Sequence, residues 1–392
     1  MTRIPYLILG GGMTAQAAAR GIRDVDRDAP IALLSAEPHR PYARPPLSKK
    51  LWFGGEEASI WLEDVPGLDL RLGRRAVSID RAAQEVVDDR GERHGYDRLL
   101  LATGATPREL PWKDDRIVHF RTLDDFRKVR DALAAGRRRV AVVGGGFIGS
   151  EMAAALASNG AQVTVIFPEA SLCARTFPAE LGDFVGGVYR EKGVALWAGE
   201  LLASATGQPD GLTVTTKRGR ELTVDLVVAG IGVTPNVALA RAAGLAVGDG
   251  VEVDARLRTG DPAIWAAGDV ASFTSPALGR RMRVEHEDNA LTQGRLAGRA
   301  MAGDDVRYDH LPFFYSDLFD LGYEAVGDVD ARLEVVSAWK RPLREGVLYY
   351  LADGRVRGVL LWNVFGQVDA ARALIAAPGP FRPEHGIATV SG

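Results

Sequence analysis

The sequence predicts an α/β protein with two Rossmann-like dinucleotide-binding domains and a C-terminal α+β domain. A glycine triplet follows a short apolar run at residues 10–12, and the same arrangement recurs at residues 144–146. The chain has 392 residues, enough for two or three domains that each bury a core. It also contains 45 glycines, which exceeds the usual share of about 7%. The positions of these glycines are the first indication of function.

The first unit begins with the apolar run Tyr6–Leu9, a predicted strand that ends at the glycines of residues 10–12. A predicted helix follows from Ala15, which completes the spacing G-x-G-x-x-A. Such glycines permit a tight turn and let the backbone approach a pyrophosphate at the positive end of the helix. A second strand, Ile31–Leu34, leads to Glu37, where a ribose-binding acid is expected. Taken alone, the pattern also fits an ordinary glycine turn.

The second unit repeats this arrangement. The apolar run Val140–Val143 leads into the glycines of residues 144–146, and a predicted helix covers residues 150–160. Another strand, Val163–Phe167, is followed by Glu169. Two complete units in one chain predict two bound dinucleotides, such as a tightly held FAD and an exchanging NAD(P)H.

Three further segments are predicted strands that end in turn residues. Residues 98–108 contain Thr103 and Gly104, residues 225–236 contain Gly232, and residues 263–273 contain Gly268 and Asp269. Each is ambiguous by itself, but their order along the chain is typical of flavin reductases that bind two dinucleotides.

Several longer motifs extend this pattern over most of the chain. They include "RPYARPPLSKKLWFGG", "VVGGGFIGSEMAAAL", "AAGDVASF", "GRRMRVEHEDNALTQGRLAG", "FYSDLFDLGYEAVG" and "GVLLWNVF". On these motifs the sequence resembles the FAD-dependent pyridine nucleotide reductases, in the branch that holds rubredoxin and ferredoxin reductases and apoptosis-inducing factor. The resemblance runs from residue 10 to residue 365 and implies a bound FAD, NADH as donor and an FAD domain that is split in sequence.

The resemblance also implies a set of cofactor-binding residues. For FAD these are Gly10, Gly12, Thr14, Ala15, Glu37, Arg44, Lys49, Val77, Arg121, Asp269, His286 and Trp362. For NADH they are Phe147, Ile148, Glu151, Glu169, Gly232, Glu285 and Glu324. The turns and strand ends add the predicted cofactor-binding residues Thr103, Gly104, Gly144, Gly146, Gly149 and Gly268, and Glu287, next to His286, is also predicted to bind the cofactor.

The sequence departs from its relatives at a few positions. Relatives often have Trp where this chain has Tyr315, and a second His where it has Glu287. They also carry basic residues soon after the acid that matches Glu169, whereas here Arg175 is the first base to follow. Because the carboxylate of Glu169 would repel a 2′-phosphate, we expect NADH to be preferred over NADPH.

Four residues are predicted to act on the reaction: Lys49, Phe147, Glu151 and Trp362. Lys49 would stabilise negative charge on the reduced flavin and pair with Glu151, although both also fit ordinary surface charges. Phe147 would stack on the nicotinamide, and Trp362 would close the flavin site. Either aromatic residue also fits a place in the core.

Histidine and cysteine chemistry contributes little to the prediction. His286 lies among acids in "VEHEDN", but no metal-ligand spacing appears, so a flavin contact is favoured and no metal is predicted. Cys173 is the one cysteine of the chain, so an intrachain disulfide is excluded and an inert thiol is expected.

The predicted domains follow the motifs. Residues 1–117 and 244–309 form the FAD-binding domain, and residues 118–243 form the NAD-binding domain. Residues 310–392 form a C-terminal α+β interface domain, in which Asp353-Gly354 predicts a hairpin and residues 367–377 predict a helix.

Charge and composition exclude some classes of partner. Lys plus Arg is 48 and Asp plus Glu is 51, a net charge of −3, so no electrostatic reason for nucleic-acid binding exists. No membrane span or signal peptide is predicted, and the single cysteine suits a cytoplasmic location. We expect a monomer or homodimer that passes electrons to a ferredoxin, a rubredoxin or a quinone. The alternative is a redox-responsive signalling flavoprotein resembling apoptosis-inducing factor, with slow NADH oxidation.

Overall fold

The computed structural model describes residues 3–382, 384, 386 and 387. No helix in this part of the chain is long and apolar enough to cross a membrane. The described residues form two compact units, each assembled from segments that are separated in sequence. Unit 1 comprises the chain up to Ala43, Glu56–Thr106 and Thr234–Pro312. Unit 2 comprises Arg44–Gly55, Pro107–Val233 and the described residues from Phe313 onward. The division into three domains remains a prediction.

The secondary structure contains the predicted strands and helices. The helices are α1 (Met13–Val25), α2 (Leu123–Ala134), α3 (Phe147–Ser158), α4 (Ala179–Glu191), α5 (Ala238–Ala242), α6 (Glu287–Met301) and α7 (Val368–Ala376). The strands are β1 (Ile4–Leu9), β2 (Ile31–Ser35), β3 (Leu68–Leu72), β4 (Ala76–Asp80), β5 (Glu85–Asp88), β6 (Arg93–Leu101), β7 (Ala105–Pro107), β8 (Ile117–His119), β9 (Arg139–Val143), β10 (Gln162–Phe167), β11 (Ala195–Ala198), β12 (Leu202–Gln208), β13 (Gly211–Thr216), β14 (Glu221–Val224), β15 (Leu226–Ala229), β16 (Val233–Pro235), β17 (Val247–Gly248), β18 (Gly250–Glu252), β19 (Ile264–Ala266), β20 (Ala271–Ser275), β21 (Arg280–Met282), β22 (Phe313–Leu318), β23 (Leu321–Gly327), β24 (Glu334–Arg341), β25 (Glu345–Ala352) and β26 (Arg355–Trp362).

Unit 1 is built on a sheet of order β3-β2-β1-β6-β5-β4, with β19 paired to β6. The ladders among β3, β2, β1, β6 and β19 are parallel. Tyr6–Leu9 of β1 are all buried, as expected for a central parallel strand that is covered on both faces. These strands supply the apolar core of the unit.

Helices α1 and α6 of unit 1 pack with their backbones in direct contact. A Cβ atom added to Gly294 would lie 2.4 Å from the carbonyl oxygen of Thr14, and one on Gly298 would lie 2.0 Å from that of Ala18. From the other helix, a Cβ on Gly21 would lie 2.0 Å from the carbonyl oxygen of Arg295. Glycines on both helices therefore make this close approach possible, and we call this contact the glycine seam.

Unit 2 contains a parallel sheet of order β11-β10-β9-β15-β8 and a three-stranded antiparallel sheet, β12-β13-β14. Helix α3 follows β9 and is buried over most of its length. Its run of alanines, with Met152 and Leu156, lets it pack closely against the apolar strands. This is the βαβ arrangement that the second glycine triplet predicts.

The rest of unit 2 is an antiparallel sheet of order β22-β23-β26-β25-β24, followed by α7. The predicted hairpin is confirmed: β25 pairs with β26, and Asp353 and Gly354 both have positive φ angles. Two such residues match the twist of adjacent antiparallel strands. Helix α7 lies at Val368–Ala376, within the predicted range 367–377.

Candidate functional site

The first glycine turn lies at the carboxyl edge of the unit 1 sheet. Leu9 of β1 is in register with Leu101 of β6, and Leu101 is in register with Ala266 of β19. The segments that follow these three strands are the predicted ones at residues 10–12, 103–104 and 268–269. Ligands of parallel α/β sheets bind outside the carboxyl ends of the strands. The sequence signals therefore converge at one edge.

Glycine occurs at positions 10 and 12 for different structural reasons. Gly10 has a φ of +124°, and a Cβ there would lie 2.0 Å from the carbonyl oxygen of Ala102. Gly12 precedes α1 with a φ of −90°, and a Cβ there would meet no heavy atom of the described residues within 4 Å. Packing therefore requires a glycine at position 10, whereas the glycine at position 12 leaves the first turn of α1 open. That open space fits a pyrophosphate at the positive helix end.

The Gly268-Asp269 turn lies against the start of α1. Gly268 has a φ of +76°, and a Cβ there would lie 2.2 Å from Thr14 Oγ1. The amide of Gly268 donates to Gln293 Oε1 at 2.9 Å. The sequence analysis did not find Gln293, a fully buried side chain of α6 that fixes this turn. The four-residue spacing of Gly294 and Gly298, which follow it on α6, is the sequence signal that could have predicted so close a contact with α1.

His286 precedes the first residue of α6. Burial lowers the pKa of its imidazole to about 4, against smaller opposing effects of Asp269 and Asp288. The ring is therefore neutral at physiological pH. A neutral histidine near Asp269 is compatible with the predicted flavin contact.

Glu37 follows β2, where the ribose of the first dinucleotide is expected. Its Oε2 accepts a hydrogen bond of 2.6 Å from the hydroxyl of Tyr42, and its amide donates to Ser35 Oγ at 3.2 Å. These contacts hold the side chain half-buried at the sheet edge. Such an acceptor suits two ribose hydroxyls.

Two of the predicted strand ends are joined by Asn236. Its Nδ2 donates to the carbonyl oxygen of Thr103 at 2.8 Å, and its amide donates to that of Gly104 at 3.0 Å. Thr103 Oγ1 donates in return to the carbonyl oxygen of Asn236 at 3.1 Å. Among the remaining predicted residues of unit 1, Ala15 is fully buried in α1, Val77 is exposed on β4, Glu285 pairs with Arg283, and Glu287 begins α6.

The second glycine turn, in unit 2, repeats the geometry of the first. Gly144 has a φ of +111°, and a Cβ there would lie 2.4 Å from the carbonyl oxygen of Gly230. A Cβ on Gly146, at the start of α3, would meet no heavy atom of the described chain within 4 Å. At Gly149 a Cβ would lie 1.9 Å from the carbonyl oxygen of Gly144, so this glycine lets α3 pack on the turn. The open helix start again fits a pyrophosphate.

Unit 2 also contains other residues that are predicted to bind the nucleotide. Phe147 is half-buried, with its ring centroid 5.0 Å from that of Phe314, and Ile148 is exposed beside it. Gly232, with a φ of +92°, accepts a hydrogen bond from the amide of Arg108. Glu324 Oε2 accepts from the amide of Gly366 at 3.1 Å, and burial raises the pKa of this carboxyl group.

Lys49 and Glu151 form a largely buried ion pair in unit 2. Lys49 Nζ lies 2.8 Å from Glu151 Oε1, and the two side chains are only 12% and 3% exposed. The alternative interpretation, two solvated surface charges, is therefore wrong. Glu151 also accepts hydrogen bonds from Ser48 and Ser316, which the sequence analysis did not find. Ser316 lies in the motif "FYSDLFDLGYEAVG", but only the folded chain shows its partner.

Trp362 lies in the core of the C-terminal sheet. Its side chain is 0% exposed, its ring stacks on Tyr323 at 6.0 Å between centroids, and Nε1 donates to the carbonyl oxygen of Leu343 at 3.0 Å. A side chain that contacts a cofactor is exposed when only protein atoms are counted. This geometry favours the core interpretation of Trp362, and a direct flavin contact would require repacking.

Arg44 and Arg121 both lie in unit 2, where Arg44 Nη1 donates to the carbonyl oxygen of Arg121 at 3.1 Å. This bond joins the proline-rich segment, which also carries Lys49, to the region that precedes α2. The two predicted FAD-binding arginines are thus brought together, although 77 positions separate them in sequence.

Glu169 follows β10, where the ribose of the second dinucleotide is expected. Its carbonyl oxygen accepts from the amide of Gly199 at 3.0 Å, and the guanidinium of Arg218 lies 3.5 Å from the position of a Cβ on Gly199. Arg218 is therefore a base near the Glu169 segment that the sequence analysis missed. Arg175 is exposed and its carbonyl oxygen bonds to Ala331.

Cys173 is buried, with Sγ 3.5 Å from Ser150 Oγ. Burial raises the pKa of this thiol to about 12, so the reactive thiolate is not formed at neutral pH. The geometry supports the interpretation of Cys173 as an inert core residue.

One group in the described chain has the composition of a metal site: Asp88, Glu92 and His94. Arg74 Nη1 lies 2.7 Å from Asp88 Oδ2 and 2.6 Å from Glu92 Oε2. The guanidinium thus pairs with both carboxylates and holds the pKa of Asp88 well below its usual range, although burial opposes this. The arrangement is a structural ion-pair cluster.

Two cradles of this kind in one chain define an oxidoreductase that uses two dinucleotides. A sequence model described as pyridine nucleotide-disulphide oxidoreductase matches residues 4–294, and one described as apoptosis-inducing factor, mitochondrion-associated, C-term, matches residues 297–345 and 340–377. The chain belongs to the pyridine nucleotide-disulphide oxidoreductase family. It is an FAD-dependent NAD(P)H oxidoreductase, and its open glycine turns fit the FAD and NAD(H) that the family uses.

Named relatives cover nearly the whole chain. The ferredoxin–NAD(+) reductase component of the anthranilate 1,2-dioxygenase system of Burkholderia cepacia is 39% identical, over 96% of this chain and 95% of that protein. Mitochondrial apoptosis-inducing factor 1 of Dictyostelium discoideum is 34% identical, over 94% and 78%. Putidaredoxin reductase in its covalent complex with putidaredoxin superimposes with a TM-score of 0.90 at 30% identity, covering 98% of this chain and 95% of that one.

Proposed function

We propose that this oxidoreductase transfers electrons from NADH, through FAD, to a ferredoxin-type iron–sulfur protein. NADH gives up a hydride and becomes NAD+, and the two electrons leave for acceptors that each take one. When bound, the flavin supplies the ring that takes up the hydride and releases single electrons. Relatives named as ferredoxin and putidaredoxin reductases align over nearly their full length, which supports this acceptor class.

The buried Lys49–Glu151 pair is the observation that carries the proposal. Lys49 lies in a short segment that carries predicted FAD-binding residues, and Glu151 lies one turn into α3, the helix that begins at the open glycine turn. An ammonium group held there stabilises negative charge on a reduced ring. We infer that Phe147, at the first position of α3, packs on the nicotinamide and excludes water.

The remaining assignments belong to the same proposal. Apart from Trp362, whose ring lies in the core of the C-terminal sheet, the predicted cofactor residues bind as assigned in the sequence analysis, in a three-domain chain whose FAD domain is split. Rubredoxin and quinone are the rival acceptors. Since the single cysteine is buried and the reaction needs no disulfide, we infer that the protein works in the reducing cytoplasm.

A second candidate function is a redox-responsive signalling flavoprotein. The match of the C-terminal sheet to a model described as the C-terminal part of apoptosis-inducing factor favours it. In this case NADH oxidation is slow, and reduction changes the conformation or the partner of the protein.

Steady-state turnover with candidate acceptors distinguishes the electron-transferring reductase from the signalling flavoprotein. We expect the purified protein to be yellow, with about one FAD per chain, and to reduce a ferredoxin faster than a quinone under saturating NADH. A long-lived NADH-reduced complex with no efficient acceptor would support signalling. A colourless protein that takes up no FAD on reconstitution would contradict both.

The role of Lys49 is tested by comparing it with its neighbour. Lys49→Ala should slow flavin reduction by NADH tenfold or more in stopped-flow measurements while FAD stays bound. Lys50→Ala is the matched control, because Lys50 is exposed and should leave the rate unchanged. Equal rates in the two variants would overturn the assigned role of Lys49.

A further inference from the structure

The carboxylate of Glu151 is held by three donors from two different segments of unit 2. Oε1 accepts from Lys49 Nζ at 2.8 Å and from Ser316 Oγ at 2.6 Å. Oε2 accepts from Ser48 Oγ at 2.5 Å. Each oxygen of the carboxylate therefore has at least one partner, and both hydroxyl bonds are short, as charge-assisted hydrogen bonds are.

All four side chains lie below the surface. Ser48 and Ser316 are buried, at 4% and 2% exposure, and Glu151 has almost no contact with solvent. A buried carboxylate is costly unless donors replace the water it has lost. The Lys49 ammonium lies against Oε1, so the two hydroxyls carry the rest of that solvation.

The charged surroundings of Glu151 show why its orientation matters. Glu151 interacts electrostatically with five groups, those of Lys49, Asp317, Cys173, Tyr189 and Tyr323. Burial raises the pKa of the thiol and of both phenols, so these three groups are neutral. Lys49 is thus the cation that neutralises Glu151, and the direction in which the carboxylate points sets where the ammonium lies.

The C-terminal sheet contacts both members of the pair. Tyr315 of β22 lies with its ring centroid 5.3 Å from Lys49 Nζ, and the next residue, Ser316, bonds to Glu151. Ser48 approaches from the short 3-10 helix Pro45–Ser48, whose prolines restrict the backbone that leads to Lys49. The pair is therefore fixed by rigid segments on two sides.

We infer that Ser48 and Ser316 are positioning residues, whose hydroxyls orient the Glu151 carboxylate so that it holds the Lys49 ammonium in place for the flavin. The inference rests on the proposed role of Lys49. It gives the C-terminal sheet a part in setting the reduction potential of the bound cofactor, because Ser316 bonds to Glu151.

The test measures the midpoint potential of bound FAD and the rate of its reduction by NADH. Ser316→Ala and Ser48→Ala should each slow reduction at least threefold and move the potential in the same direction as Glu151→Gln. Ser316→Thr, which keeps the hydroxyl, should restore the potential. Ser337→Ala is the matched control, because Ser337 is exposed on β24 of the same sheet.

A double-mutant cycle separates positioning from a purely structural role. In the Glu151→Gln background, Ser316→Ala should cause no further shift in potential, because its hydroxyl no longer orients a charged partner. A lower melting temperature with an unchanged potential in both serine variants would overturn the inference. If Lys49→Ala also leaves the reduction rate unchanged, the proposed role of Lys49 fails as well, so the two failures can be distinguished.

Discussion

The two glycine turns have the same backbone geometry, but different elements cover the helices that follow them. In unit 1, α1 is covered by α6 along the glycine seam, where backbones are in contact. In unit 2, α3 is covered by β22 and the 3-10 helix Pro45–Ser48, which bring Lys49 and two serines to its first turns. Each glycine turn provides space for a dinucleotide. The elements packed on the following helix determine which side chains surround it.

Alanine at the first glycine of each turn should have the largest effect. Gly10→Ala and Gly144→Ala each combine a positive φ with an overlap of the new Cβ and a carbonyl oxygen, so each should lower the free energy of unfolding by about 2–5 kcal/mol. The closer overlap, 2.0 Å against 2.4 Å, predicts the larger loss at Gly10. Chemical denaturation measures both.

The controls for this pair are Gly91→Ala in unit 1 and Gly54→Ala in unit 2. Both glycines have positive φ angles, but a Cβ would meet no described atom within 4 Å. They should lose only about 1 kcal/mol, from backbone strain. Equal losses in all four variants would show that the overlaps do not matter.

Valine at the second glycine should separate the two ligands. Gly12→Val and Gly146→Val place a side chain in the open space at each helix start, so both proteins should fold. Gly12→Val should lower FAD content at least tenfold, whereas Gly146→Val should stay yellow and bind NADH at least tenfold more weakly, about 1.4 kcal/mol. Flavin absorbance and NADH titration distinguish them, and loss of FAD in Gly146→Val would contradict the assignment of the turns.

Glu169, the acid predicted to bind the ribose of NADH, should set the preference between NADH and NADPH. Loss of a hydrogen bond to the charged Glu169 is worth roughly 1.5–3 kcal/mol, so NADH should be preferred over NADPH about tenfold or more. Because Arg218 lies near the Glu169 segment, Arg218→Ala should widen this preference, and Arg175→Ala should not. Stopped-flow measurement of flavin reduction by NADH and by NADPH tests this preference. Equal rates with the two nucleotides would show that a basic residue, rather than Glu169, determines which nucleotide binds.

A smaller effect is expected from pH in unit 1. The folded-state pKa of His286 is about 4, below an unfolded value of about 6.5. The stabilisation is therefore fully present above pH 6.5 and is lost as the pH falls from 6.5 towards 4, by about 2 kcal/mol between pH 8 and pH 5. His286→Gln should reduce this dependence in denaturation curves, and an unchanged dependence would exclude His286 as its source.

Most of the fold follows from local sequence. Apolar runs that end in glycines predicted β1, β9 and the helices after them, and Asp353-Gly354 predicted the last hairpin, because turn chemistry acts over a few residues. The buried partners of Glu151 did not follow, since Ser316 lies 165 positions away. Arg218 was missed for the same reason: a β-hairpin brings it to Gly199, and no local pattern records that approach. Trp362 was ambiguous because a large aromatic residue suits a core and a cofactor equally.

The glycine seam also sets an order of events during synthesis. Asp24 at the end of α1 pairs with Arg295 of α6 across 271 positions, so α1 emerges from the ribosome long before its cover exists. At roughly 5–20 residues per second, the delay is on the order of tens of seconds. The parallel sheet of unit 2 can fold during that time, because its strands β8–β11 and β15 all precede α6. Nascent unit 1 therefore exposes, for that time, the face of α1 that α6 later covers.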